Sequence, residues 1–116
     1  MVATARQRLQ HMKDAIKNIR ALLLEKDSSA LADEPVTRAA YERFLEILSE
    51  ASRHVPQAWK EQHAEIPWRQ VADLGNHFRH GYDKIDLPIL WNVYAHDLDA
   101  IEMAVDAMMM ETGEDR

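Results

Sequence analysis

The chain has 116 residues, 47% hydrophobic and 29% charged, with a net charge of −6 and no cysteine. This balance describes one globular domain, residues 1–116, rather than a disordered chain. Disulfides and thiolate zinc sites are excluded, and so acidic a chain is a poor non-specific binder of nucleic acid.

The opening MVATARQRLQ lacks the apolar core of a signal peptide. No apolar run approaches the ~20 residues that a membrane helix needs. The expectation is a soluble, cytoplasmic protein without a membrane segment or cofactor. Charge is unevenly spread: residues 1–26 carry six Lys/Arg against two acids, and residues 97–116 carry seven acids against one arginine. A basic first helix packed beside an acidic last helix accounts for that asymmetry. The first helix is otherwise the only stretch basic enough to touch RNA.

Glycine (3) and proline (4) are scarce, which favours long helices over many short strands. In the first segment Leu9, Met12, Ile16, Ile19 and Leu23 follow 3-4-3-4 spacing, the signature of one apolar stripe on a helix of about residues 3–26. KDSSALADEP breaks that pattern, with Asp27, Ser28 and Ser29 as cap or turn residues. A second helix runs from about Glu34 to His54, with Ala40, Phe44, Ile47, Ala51 and Val55 as its expected buried line, and Pro56 ends it. PQAWKEQHAEIP reads as a connector with room for one helical turn.

A third helix starts near Pro67 and stops near Gly81, with Trp68, Val71, Gly75 and Phe78 on one side. A fourth begins after the N-cap Asp86, and Leu87, Trp91, Tyr94, Leu98, Ile101, Val105 and Met108 form its stripe. Residues from about 111 to 116 read as an acidic tail. The methionines of AMMM at 107–110 suit either core or a contact surface. The predicted class is all-α, an up-and-down bundle of four to five helices. The stripes of the first and fourth helices fit an internal core or a dimer seam equally well.

Chemistry concentrates on the third helix. Arg69, Asp73, Asn76 and His80, spaced 4-3-4, share one face roughly opposite the apolar line. Gly75 lies on the apolar line, where it gives up about 1 kcal/mol of helix propensity against alanine. That placement suggests either close approach by another backbone or a glycine tolerated near a helix end. His80, near the helix C-terminus, feels the negative end of the dipole, which suits proton transfer near neutral pH. His77 and His80 are also spaced i, i+3, and Asp73, Asp83 or His96 would have to supply a third metal ligand. No metal motif such as H-E-x-x-H is present, so no metal is assigned.

The segment IPWRQVADLGNHFRHGYDKIDLPILWNV resembles the HepT-like branch of the HEPN superfamily, in which I-P-W, then R-N-x-x-x-H-x-Y, then D and an apolar helix with W recur. The matching positions are Ile66-Pro67-Trp68, Asn76, His80, Gly81, Tyr82, Asp86 and Trp91. YERFLEILSEASRHVP resembles the second helix of that family, with Glu50-Ala51 at its G-E-A segment, so the likeness covers about residues 5–105.

The resemblance implies a HEPN-like homodimer with a cleft between protomers. It implies a metal-independent endoribonuclease acting on RNA, the toxin of a HEPN/MNT toxin–antitoxin pair. The antitoxin would be a minimal nucleotidyltransferase that modifies the motif tyrosine. Carried over residue by residue, His80 is catalytic, Asn76 is its polar companion and Tyr82 is the tyrosine nucleotidylated by the partner.

The family's arginine falls on Gly75. Arginine stabilises phosphate charge with fixed paired donors, and losing such a donor costs on the order of 100- to 1,000-fold in rate. Arg79 points about 100° away from its neighbour His80. Arg69 is on the right stripe but about 16 Å upstream of His80 along the axis. Lys84 follows the helix. Restoring arginine at 75 is expected to raise activity if the backbone accommodates it. The alternatives are a catalytically inactive HEPN partner or substrate-binding subunit of the transferase, and a bundle whose histidines are structural or metal-binding.

Overall fold

The computed structural model describes residues 3–79 and 86–112, with the backbone alone for 77–79. Every regular element among them is helical, and they form an all-α, HEPN-like bundle. Helix α1 (Ala5–Leu23) opens with a reciprocal capping box: Gln7 N–H donates to Thr4 Oγ1 at 3.1 Å, and Thr4 N–H donates to Gln7 Oε1 at 2.7 Å. Its whole predicted stripe, Leu9 through Leu23, is buried. Each such side chain contributes roughly 1.5–3 kcal/mol by leaving water.

The chain turns at Glu25, whose φ of 63° lies in the left-handed region. It then forms a short helix, α2 (Ser29–Asp33), within the stretch expected to be irregular. Ala30 and Leu31 are apolar enough to seat that turn against the core, and both are buried.

Helix α3 (Pro35–Arg53) starts with proline at a position whose missing N–H costs nothing. Its buried line differs from the expected one. Tyr41, Leu45 and Leu48 are fully buried, whereas Ala40, Phe44 and Ile47 are half-buried. The helix carries two adjacent apolar rows about 100° apart, and only packing against α1 decides which turns inward. Ala51 and Val55 are buried as expected. Helix α4 (Gln57–Glu61) is the single turn foreseen in the connector, and α5 (Trp68–Arg79) follows Pro67.

The last helical run is not continuous. Helix α6 (Leu87–Asn92) passes through a π turn (Val93–Asp97) into α7 (Leu98–Glu111). Asp86 stands at the N-cap, although its side chain makes no capping bond there. The π turn adds a residue and rotates the buried face. Leu90 and Val93 are buried before it, and Leu98, Ile101, Val105 and Met108 after it, while Leu87, Trp91 and Tyr94 are only half-buried.

Its cause lies on α3. The buried Tyr41 hydroxyl donates to the Leu90 carbonyl at 2.6 Å and is also hydrogen-bonded to the Tyr94 backbone. These two groups would bond to each other in an unbroken α-helix, so Tyr41 opens the ladder. Burial pushes the Tyr41 phenol well above its ordinary pKa, outweighing the bond to Tyr94.

Helix α1 packs on α3 and α7, and α3 packs on α5. The basic and acidic ends meet as expected: Arg20 bonds Glu102 at 2.8 Å and Asp99 at 2.6 Å, and Lys13 bonds Asp106 at 2.5 Å. Met108 belongs to the core, but Met103 and Met110 on α7 are exposed. Among the described residues no helix is long and apolar enough to cross a membrane.

Candidate functional site

Helix α5 has a sharply two-sided sequence. Val71 and Gly75 are buried against α3, while Arg69 and Asp73 are exposed on the far side and Asn76 is half-buried at the edge. The expected polar stripe is therefore displayed as far as Asn76. His80, Tyr82 and Lys84 lie outside the described residues, as do the side chains of His77 and Arg79.

Gly75 owes its place to a side chain, rather than to a neighbouring backbone. Its N–H donates to Ser49 Oγ of α3 at 2.9 Å, and Ser49 Oγ donates to the Ala72 carbonyl at 2.8 Å. The serine hydroxyl thus enters the α5 backbone ladder between residues 72 and 75. Both Ser49 and Gly75 are buried. A Cβ at 75 on this face would crowd the serine, and glycine leaves the space open.

One turn beyond Ser49 on α3, Arg53 reaches the same place. Its Nη1 donates to the Ala72 carbonyl at 3.1 Å, so one oxygen accepts from both α3 side chains. A guanidinium therefore stands on the turn of α5 just before Asn76. Sequence reasoning missed both Ser49 and Arg53. Their i, i+4 spacing was the available signal, but a serine and an arginine near a helix end carry no chemical motif.

Further along, Trp68 Nε1 donates to the His63 carbonyl at 3.0 Å, which fixes the indole. The Lys60 ammonium lies 5.8 Å from the centre of that ring. Burial, with the nearby Arg53 charge, pulls the Lys60 pKa below its ordinary value.

On the other flank of α5, a cavity of about 670 Å³ lies against α6 and the π turn, with Asp73, Leu74, Asn92 and His96 among its lining. It brings together Asp73 and His96, two of the three candidate third ligands; Asp83 lies outside the described residues. Among the described residues no group of three or more His, Asp or Glu side chains is placed to hold a metal ion.

The helix carrying Asn76, with α3 behind it and α6 beyond it, falls inside a family match. Residues 12–108 match the family described as Ribonuclease HepT-like. The chain belongs to the HepT-like ribonuclease family. One relative is the "Probable ribonuclease HepT" of Thermococcus cleftensis, 31% identical over 94 residues, covering 81% of this chain and 86% of the relative. Another is the "Putative RNase TTE0752" of Caldanaerobacter subterraneus subsp. tengcongensis, 24% identical over 103 residues, covering 89% and 88%. A third is the "Putative RNase MJ1380" of Methanocaldococcus jannaschii, 31% identical over 80 residues, covering 69% and 73%. No solved structure gives a significant match. The HepT-like match includes the segment with Asn76, His80 and Tyr82, and also position 75, where this chain carries glycine.

Proposed function

We propose that the protein is the toxin of a HEPN/MNT toxin–antitoxin pair, a metal-independent endoribonuclease acting in the cytoplasm as a homodimer. The supporting observation is the HepT-like match over residues 12–108, a stretch that includes Asn76, His80 and Tyr82.

The chemistry follows from the residue types. A ribose 2′-oxygen attacks the adjacent phosphorus as it gives up its proton, and the 5′-oxygen of the next nucleotide leaves and takes up a proton. The products are a 2′,3′-cyclic phosphate and a 5′-hydroxyl. Imidazole is the side chain whose ordinary pKa suits either transfer, so His80 is the acid or base. Asn76 orients the phosphate through its amide. Arg69, Asp73, His77, Arg79 and Lys84 are supporting groups around that pair. Tyr82 offers a phenolic oxygen for nucleotidylation by a minimal nucleotidyltransferase, which would add negative charge beside the catalytic histidine and repel RNA.

Incubation of RNA with the protein in excess chelator, beside His80→Ala, tests the reading. Cleavage by the wild type and loss in the variant support it; intact RNA with both rejects it. One observation favours a second reading. Gly75 is buried and bonded to Ser49, so α5 supplies no guanidinium at the family's position. An inactive HEPN partner or substrate-binding subunit of the transferase would need none. Intact-mass measurement after mixing with the cognate transferase and ATP tests the Tyr82 role in either case, and an unmodified mass rejects it.

A further inference from the structure

The chain is acidic, yet one groove is cationic. It has a volume of about 690 Å³ and is bounded by the end of α3, by α4 and by the first turns of α5. Arg53, Lys60 and Arg69 line it, one from each helix, together with Trp68. Glu61 and Asp73 are the carboxylates on its walls.

Among the described residues none of these three cations is in an ion pair. Lys13, Arg20, Lys26 and Arg38 elsewhere are each matched to a carboxylate. Unmatched positive charges gathered in one concavity repel each other; at Lys60 the Arg53 charge adds to burial, the larger cause, in lowering the ammonium pKa. Such a cluster is stabilised by a polyanion. Among the described residues Arg53 is anchored through one donor, Nη1, at the Ala72 carbonyl, so the rest of the fork is available to phosphate oxygens. The half-buried Trp68 adds an aromatic surface, and cations interleaved with an aromatic suit a single-stranded nucleic acid.

The groove is also aligned with the proposed catalytic face. Arg69 and Asp73 begin the stripe that continues to Asn76, about 10 Å further along the helix axis. A helical side chain covers the turn N-terminal to its own Cα. An arginine at 75 would therefore extend over Ala72, where the Arg53 guanidinium stands.

We propose that this groove binds the phosphodiester backbone of single-stranded RNA, with Arg53 of α3 supplying the phosphate-binding guanidinium that position 75 of α5 lacks. The proposal deepens the ribonuclease reading: it places the strand upstream of Asn76, along α5.

Fluorescence anisotropy with a labelled 12-nucleotide single-stranded RNA tests it across a salt series. Arg53→Ala, Lys60→Ala and Arg69→Ala should each weaken binding, Arg53→Ala by roughly tenfold. Each should flatten the plot of log affinity against log salt by about 0.7, as expected for one lost phosphate contact to a single strand. Lys17→Ala, which removes an exposed cation of α1, should change neither. Thermal unfolding of every variant keeps a folding defect from passing as lost binding.

Undetectable wild-type binding, groove variants that bind like the wild type, or equal weakening by Lys17→Ala would overturn the proposal. Displacement by polyglutamate as effective as by unlabelled RNA would also overturn it, pointing to an acidic protein instead. A wild type that binds RNA through the groove without cutting it sinks the ribonuclease reading and leaves this one standing.

Discussion

The Gly75 N–H donates to the Ser49 hydroxyl at 2.9 Å, and both residues are buried between α5 and α3. Position 75 therefore faces a neighbouring helix at close quarters. An arginine there must displace the serine or push the helices apart, and overpacking of this kind costs about 1–3 kcal/mol. Gly75→Arg should lower thermal stability and bring no gain in RNA cleavage, contrary to what the motif alone suggests. Thermal unfolding and cleavage rates on the same preparation check both parts.

Ser49→Ala should be costly for a residue so small. It leaves the Gly75 N–H without its partner, at about 1–3 kcal/mol for a buried donor, while Ala72 keeps its bond from Arg53. Denaturant unfolding should show a lower midpoint with an unchanged slope.

Tyr41 gives a prediction in alkali. Its folded pKa is raised above the ordinary value of 10.0, chiefly by burial, so the folded state binds the phenolic proton more tightly. That contribution is fully present below pH 10 and declines as the pH rises above 10, where the unfolded tyrosine ionises. Tyr41→Phe should lose about 1–3 kcal/mol at neutral pH through the unpaired Leu90 and Tyr94 groups. It should also show a shallower decline above pH 10 than the wild type. Equal slopes in denaturant titrations at pH 9 and 11 would contradict this.

The seam of α1 and α7 should matter less than its ion pairs suggest. Arg20 and its partner Asp99 are both substantially exposed, and such pairs contribute about 0–1 kcal/mol. Arg20→Ala should cost no more than that, and the difference should shrink in 1 M salt, where charges are screened beyond roughly 3 Å.

The stripes of α1 and α7 were legible in the sequence because each helix has one apolar row. Helix α3 has two apolar rows, so spacing alone does not choose the inner one, and Tyr41, with a polar tip, does not advertise itself as core. The π turn was invisible for a related reason: its cause is a hydroxyl 49 positions away in sequence. On the site side, the HepT-like resemblance points to Asn76, His80 and Tyr82 and to the departure at 75, and of these Asn76 and Gly75 lie among the described residues. It said nothing of Ser49, Arg53 or Lys60. These act through contacts between helices, and spacing within one helix does not encode them.

In the proposed cleavage the RNA's own 2′-hydroxyl is the nucleophile and His80 moves the proton. Mass spectrometry of the fragment ends, after incubation in excess chelator, tests it most directly. The expected products are 2′,3′-cyclic phosphate ends paired with 5′-hydroxyl ends from the wild type, and none above background from His80→Ala. Fragments ending in 5′-phosphate, or no wild-type fragments at all, would contradict it.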